Sequence, residues 1–359
     1  MQIMHVITRF NRGGTATWLR TLITVQKKQG NEVSLLAGLV QNDEAEDENF
    51  YNLGGIHIQN LGRKISPFDD IKAFFEIRNQ IKTIKPDIIN THTSKAGLLG
   101  RLAAISLIKR PAIVHTYHGH LLYGYYGKST TKLFSILEWA LSFLTDVFIV
   151  SGENVKRDLE IAGILRDKNV FLARPGVLAP ELKDRNQSEK NSVIVGWLGR
   201  LTKIKRPDRL LELAKQFPNV IFFIGGEGDL ESELRKNAPS NVRFLGWVDS
   251  FDFWQRCDIA LLTSENEAQP ISLIEAALCS LPSIAENVGS VSNVITHQKT
   301  GLLVSNFEDR VTSLNTLIGD PKLRLKMGNE ARKDVGERFS IDQFIASHNE
   351  AYKSALERK

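Results

Sequence analysis

Short apolar runs alternate along the chain with longer stretches whose apolar positions recur every three or four residues. In the first half, the runs at 2–8, 32–37, 87–92, 112–116, 146–151 and 170–173 predict strands. The stretches between them, 15–28, 69–84, 95–108, 128–144 and 153–161, predict helices. Strand, helix, strand at this spacing means βαβ units and a parallel sheet. The pattern stops at 174–192, a polar stretch with two prolines and no apolar period, which reads as a linker or exposed loop. It restarts with strands predicted at 193–198, 220–224, 242–245, 258–262 and 283–285, and helices beginning near Pro207, Asp229, Phe251 and Pro270. Residues 308–359 are almost wholly helical in pattern. The expectation is α/β: two doubly wound domains, 1–175 and 193–338, joined by a linker at 176–192 and closed by a tail helix at 339–359.

Length and composition agree with two cores. A chain of 359 residues with 42% apolar residues is too long for one ordinary domain and too apolar to be disordered. Cys257 and Cys279 are its only cysteines and have neither CxxC nor Cys/His spacing, which argues against a disulfide framework or structural zinc and favours a reducing compartment. His5 interrupts the first apolar run, which reads as a buried strand and not as an export signal. The greasiest window, 133–150, carries Glu138 and Asp146 and reads as a helix followed by a strand, not a membrane span. A soluble, cytoplasmic protein is expected.

The net charge of +5 is unevenly distributed. Residues 1–180 hold 22 Lys+Arg against 16 Asp+Glu, a balance of +6, and the remainder carries −1. No basic motif is interleaved with aromatics, so nucleic acid is set aside in favour of an anionic substrate or membrane surface.

Ligands of open parallel sheets sit beyond the carboxyl ends of the strands, so the residues following each strand matter most. After the first strand come Gly13 and Gly14, which let backbone approach a ligand at a helix start; the structural alternative is a tight turn with Thr15 as helix cap. After the strand at 193–198 comes GRLTKIKRPD, with Arg200, Lys203, Lys205 and Arg206 inside seven residues. Arg200 offers a planar fork and Lys205 a flexible point charge, a pairing suited to a diphosphate. After the strand at 258–262 comes SENEAQPISLIEA. There Glu267 precedes a helix, Gln269 and Pro270 lead into it, and Glu275 falls in its second turn. A carboxylate clamps vicinal hydroxyls, and the N–H groups around Ile271 and Ser272 suit a phosphate. No GxGxxG or DxD-type motif appears, and Asp69-Asp70 reads as a helix cap.

In their order and spacing these motifs resemble the retaining, GT-B-fold glycosyltransferases of glycosyltransferase family 4. The resemblance runs through GGEGDL at 225–230, FLGWV at 244–248, Glu267-x7-Glu275, NVGSVSNVI at 287–295, KTGLLV at 299–304 and Arg338-Phe339-Ser340. DIINTHTSKAGLLGRLAA at 87–104 and HTYHGHLLYGYYG at 115–127 look like the subgroup that assembles bacterial surface polysaccharide or glycolipid.

The resemblance implies an N-terminal acceptor-binding domain and a C-terminal nucleotide-sugar-binding domain, two Rossmann-like halves facing a cleft, with the tail helix crossing back onto the first. It assigns Arg200 and Lys205 to the donor diphosphate, Glu275 to the ribose hydroxyls and Glu267 to the transferred sugar. Gly14 falls against the donor phosphates, His118 lines the reaction centre, and Trp247 and Val248 meet the base through backbone atoms. A metal-independent hexose or N-acetylhexosamine transfer with retention is implied, from a UDP-sugar before GDP-mannose, with no cofactor. An anionic, lipid-linked acceptor suits the +6 of the first half. Leu121, Leu122, Tyr123, Tyr125 and Tyr126, followed by Lys128 and Lys132, suit an aromatic-basic membrane lip. The chain departs from the family at Ala268, Ser280, Ser290 and Asn293, none of which removes a charged donor ligand. A sugar-nucleotide 2-epimerase on the same fold and a non-catalytic nucleotide-sugar-binding subunit are the alternatives.

Overall fold

A computed structural model describes residues 1–41, 44–119, 128–165, 168–182 and 192–359. The chain divides into two compact units, Met1–Gly176 with Asp342–Lys359, and Val177–Ile341.

The first unit is built on seven parallel strands: β1 (Gln2–Arg9), β2 (Glu32–Gly38), β3 (Gly55–Ile58), β4 (Ile88–His92), β5 (Ala112–Tyr117), β6 (Val147–Val150) and β7 (Val170–Leu172). Their order is β3-β2-β1-β4-β5-β6-β7, so the direction of winding reverses between β1 and β4. Helices α1 (Gly14–Lys28), α2 (Pro67–Ile84), α3 (Ser94–Ile105), α4 (Lys128–Ser142) and α5 (Glu153–Ile161) make the crossovers. Every residue of β4 and β5 is buried, and the core is aliphatic around Val6, Leu36, Ile89 and Ile113. β3 escapes the sequence pattern because it is four residues long and three of them are only half-buried at the sheet edge.

Inside this unit Arg101 of α3 donates to Glu138 of α4 at 2.9 Å, and the Tyr117 hydroxyl donates to the same carboxylate oxygen at 2.8 Å. Of the two charged residues in the greasy window at 133–150, Glu138 is thus an internal ion-pair partner. Burial, reinforced by the Glu138 charge, pushes the Tyr117 phenol well above its ordinary range.

The second unit has six parallel strands: β8 (Ile194–Leu198), β9 (Ile221–Gly225), β10 (Val242–Phe244), β11 (Ile259–Leu262), β12 (Ser283–Glu286) and β13 (Gly301–Val304). Their order is β10-β9-β8-β11-β12-β13, which places the reversal between β8 and β11. Helices α6 (Asp208–Gln216), α7 (Glu231–Asn237), α8 (Ser250–Trp254), α9 (Ile271–Leu278), α10 (Phe307–Gly319) and α11 (Pro321–Arg338) flank the sheet. Asp320 breaks the closing helical stretch by accepting from the Leu323 N–H as the cap of α11.

The last helix, α12 (Ile341–Glu357), belongs to the first unit and buries Phe344, Ile345, His348, Ala351, Tyr352 and Ala355 there. The Phe344 ring meets Trp18 of α1 edge-on at 4.9 Å. A Cβ on Gly176 would lie 2.7 Å from Phe344 Cβ, so a glycine is required where the chain passes this ring.

Candidate active site

The carboxyl ends of β8 and β11 meet at the winding reversal of the second unit, and the predicted donor-site residues follow them. Beyond β8, the Gly199 N–H donates to Gly225 O at 3.0 Å and the Leu201 N–H to Glu227 O at 2.9 Å. Gly226 has φ +113, and a Cβ there would fall 2.0 Å from Gly199 O, so only glycine lets these loops approach. Arg200 stands exposed between the two pinned residues. A 3-10 turn, Lys203–Lys205, follows.

Arg206 adopts φ 49, a left-handed conformation costly for a side chain with a Cβ. Its guanidinium holds it there, donating to Asp208 at 2.7–3.0 Å and to Glu265 at 2.6 Å. Those bonds, Asp208 first, raise its pKa above the ordinary arginine value. Arg206 is therefore committed to the architecture of the loop, and Asp208, not Pro207, opens α6.

Beyond β11, Thr263 Oγ1 accepts from Trp197 Nε1 at 2.9 Å and donates to Lys205 O at 3.0 Å. The Glu265 N–H donates to Ile204 O at 2.8 Å. These bonds lay the 263–267 segment beside the 204–206 turn, bringing Lys205 Nζ to 2.6 Å from Glu267 Oε1. Ser264 Oγ donates to the same oxygen at 2.6 Å. The Ser290 N–H donates to Glu267 O at 2.8 Å, and a Cβ on Gly289 (φ +52) would lie 2.0 Å from that oxygen. Glu267 is thus held from three loops, and both side-chain bonds reach the same oxygen, Oε1.

The start of α9 differs in one respect from expectation. The Ile271 N–H already donates to Gln269 O at 2.9 Å, so it is not a phosphate donor in this conformation, and the Ser272 N–H is the next along the helix. The Gln269 amide is buried, with neither its Oε1 nor its Nε2 bonded to any described group. Glu275 is 9% exposed in the second turn of α9. At the third strand end, the Gly226 N–H donates to Gly246 O at 2.7 Å, and the Trp247 N–H to Glu227 Oε1 at 3.3 Å. Trp247 is 49% exposed and Val248 packs on the core. Arg200, Lys205, Trp247, Val248, Glu267, Gln269, Ile271, Ser272 and Glu275 all lie in the second unit.

Gly13, Gly14 and His118 lie in the first unit. Gly13 (φ 151) caps α1, which begins at Gly14, so Thr15 is inside the first turn and is not the cap; no side chain caps this helix. Asp69 and Asp70 likewise lie within the first turn of α2, where they accept from Ser66 Oγ at 2.7 Å and Ser66 N–H at 3.2 Å. His118 follows β5, half-buried, with Nε2 2.9 Å from His92 Nδ1. His92 Nε2 is in turn 3.0 Å from His5 Nδ1. Burial lowers all three, His5 to about 4, His118 to about 3 and His92 well below the ordinary value. His5 gave its sequence signal by breaking an apolar strand; its partnership with His92 and His118 was invisible there. His120, the aromatic segment 121–126, the Lys128 side chain and most of the 176–192 linker lie outside the described residues.

Two family models match the chain in succession: Glycosyltransferase Family 4 over residues 12–177 and glycosyl transferases group 1 over residues 179–334. The chain belongs to the family 4 glycosyltransferases. Among curated relatives, it is 26% identical over 320 residues to the Escherichia coli UDP-Gal:alpha-D-GlcNAc-diphosphoundecaprenol alpha-1,3-galactosyltransferase, covering 82% of each chain. Among solved structures, sucrose-phosphate synthase from Thermosynechococcus elongatus superposes with a TM-score of 0.84 at 18% identity, covering 100% of both chains. Anabaena HepE in complex with UDP-glucose superposes with a TM-score of 0.81 at 18% identity, over 99% of this chain and 100% of that one. These likenesses establish the GT-B fold of this glycosyltransferase, two Rossmann-like domains with parallel sheets. Among the described residues no helix is long and apolar enough to cross a membrane.

Proposed function

We propose that this glycosyltransferase moves a hexose or N-acetylhexosamine from a UDP-sugar, with retention, to a glycan or lipid-linked acceptor in surface polysaccharide or glycolipid assembly. GDP-mannose is the second choice of donor. The observation that carries the reading is the Lys205–Glu267 contact at the winding reversal of the second unit. It places a cation beside a carboxylate whose second oxygen, Oε2, carries neither of the bonds described above, as needed next to a diphosphate and a sugar bearing hydroxyls. The name of the E. coli relative, which specifies UDP-Gal and a diphosphoundecaprenol acceptor, and the UDP-glucose bound to HepE support the donor and acceptor classes.

In this reading negative charge builds on the β-phosphate as the nucleotide departs. Arg200, Lys205 and the Ser272 N–H of α9 stabilise it, so no metal is required. Glu275 holds the ribose hydroxyls, the 247–248 backbone meets the base and the buried Gln269 amide supplies the donor pocket with a polar partner. Glu267 orients the transferred sugar and is not a covalent nucleophile. The leaving phosphate assists deprotonation of the acceptor on the same face. Gly13 and Gly14 approach the phosphates, and His118 lines the reaction centre.

The acceptor binds the first unit, working in the cytoplasm at the inner membrane face. Ile65, Phe68 and Ile71 are exposed just before and in the first two turns of α2, beside Arg63, Lys64 and Lys72 in sequence, and Leu133 and Ile136 are exposed in the second and third turns of α4. Helices that follow strands begin at the carboxyl end of the sheet, so these exposed apolar positions lie toward the ligand side of the unit. Cosedimentation with anionic vesicles, lost in Phe68→Ser/Ile136→Ser, is the expected result; equal pelleting of the variant removes the membrane surface from the proposal.

The deciding experiment is calorimetric binding of UDP, GDP and ADP in the presence of chelator, to wild type and to Glu275→Ala. UDP binding that survives chelation and weakens at least tenfold in the variant is expected. Failure of every nucleotide to bind, or equal binding by the variant, overturns the donor-site assignment.

A further inference from the structure

We infer that Gln26, His5 and His92 are positioning residues that set the tautomer of His118, so that His118 presents a bare Nδ1 lone pair to a sugar hydroxyl. The inference rests on the proposed place of His118 at the reaction centre, and deepens it.

A neutral imidazole has one N–H and one lone pair, on different nitrogens. Three neutral imidazoles in head-to-tail contact therefore have only two arrangements, because a proton at one contact dictates every other. Burial keeps these three neutral, with His5 near 4, His118 near 3 and His92 well below its ordinary value. The inner end of the chain selects the arrangement. His5 Nε2 lies 2.9 Å from Gln26 Oε1, an atom that only accepts. The Gln26 amide nitrogen faces Tyr352 of α12, whose hydroxyl accepts from Gln26 Nε2 at 3.3 Å and from Asn90 Nδ2 at 2.8 Å. Asn90 Oδ1 accepts from Thr116 Oγ1 at 2.9 Å.

The rest follows by elimination. His5 Nε2 carries the proton, so His5 Nδ1 accepts from His92 Nε2; His92 Nδ1 then accepts from His118 Nε2. His118 is left with Nε2–H directed inward and a lone pair on Nδ1. Gln26, His5 and His92 are fully buried and His118 is half-buried, so the arrangement chosen in the core is read out at the rim beyond β5. With a pKa near 3 this nitrogen is a poor base. Its role is to accept a hydroxyl hydrogen bond that orients a sugar, and the opposite tautomer would present a donor there instead.

The test is a long-range proton–nitrogen correlation spectrum of the full chain labelled with 15N-histidine, assigned through single histidine variants. His5, His92 and His118 are all expected as neutral Nε2–H tautomers at neutral pH. A His118 protonated on Nδ1, or on both nitrogens, overturns the relay. Gln26→Leu is expected to shift His118 toward the other tautomer and to lower UDP release from UDP-glucose and UDP-galactose at least tenfold in kcat, with KM within about twofold. Gln26→Glu, which still accepts from His5, restores both. An unchanged His118 spectrum in Gln26→Leu also overturns the relay, and if that variant does not fold the wild-type spectrum decides. Wild-type UDP release by His118→Ala would overturn the reaction-centre reading and leave the tautomers to be judged by the spectrum alone.

Discussion

Replacing Glu267 with glutamine separates its two jobs. Glu267 Oε1 receives Lys205 Nζ and Ser264 Oγ, each at 2.6 Å, and the amide oxygen of glutamine can receive both in the same place. What is lost is the charge. The Ser264 bond changes from charged to neutral, a loss of about 1 kcal/mol, and the Lys205 bond keeps its cationic donor but loses the ion pairing, about 1 kcal/mol more. The Lys205 side chain is 29% exposed and can turn its ammonium to water, which reduces the net loss to about 1–2 kcal/mol. For a unit of this size that lowers its melting temperature by about 2–8 °C. The rate responds differently. In the proposed donor site glutamine puts an N–H₂ donor where Oε2 is to accept from the sugar, and the expected loss is about 3 kcal/mol of transition-state stabilisation, about 10²-fold in turnover. UDP affinity is expected to be kept, because Lys205, proposed to meet the diphosphate, is unchanged. Calorimetric melting, UDP binding and UDP release from UDP-glucose and UDP-galactose measure the three quantities. A melt lowered by more than about 10 °C would mean that Glu267 serves the fold, and undiminished release would remove it from the sugar.

Two further outcomes are expected in the first unit. Glu138→Ala strands Arg101, which is fully buried, and should destabilise this unit by about 3–5 kcal/mol in urea unfolding, while Arg101→Met/Glu138→Leu recovers most of the loss. An equal loss in both variants would show that shape, and not charge pairing, dominates. His5 and His348 are held near 4 by burial, against about 6.5 when unfolded. The unfolded chain therefore binds more protons than the folded one between those values. Their contribution is complete above pH 6.5 and is lost as pH falls toward 4, by up to about 3 kcal/mol for each histidine. A melting temperature independent of pH across that window would contradict the buried neutral histidines.

Hydrophobic periodicity is local, which is why two α/β halves are legible from residue order alone. The same order misses β3, whose four residues are mostly half-buried and carry little periodic signal. It also places Arg200, Lys203, Lys205 and Arg206 in one basic loop without ranking them. Only folding assigns Arg206 to Asp208 and Glu265, Lys205 to Glu267, and the Ile271 N–H to a carbonyl two residues away. His5, His92 and His118 are separated by 87 and 26 positions, and Tyr352, which meets Gln26 at the inner end of their chain, comes from the last helix. The reason is physical. Burying apolar surface asks only for a repeating pattern, whereas a buried polar atom must find one particular partner, and which partner arrives is decided by the tertiary structure.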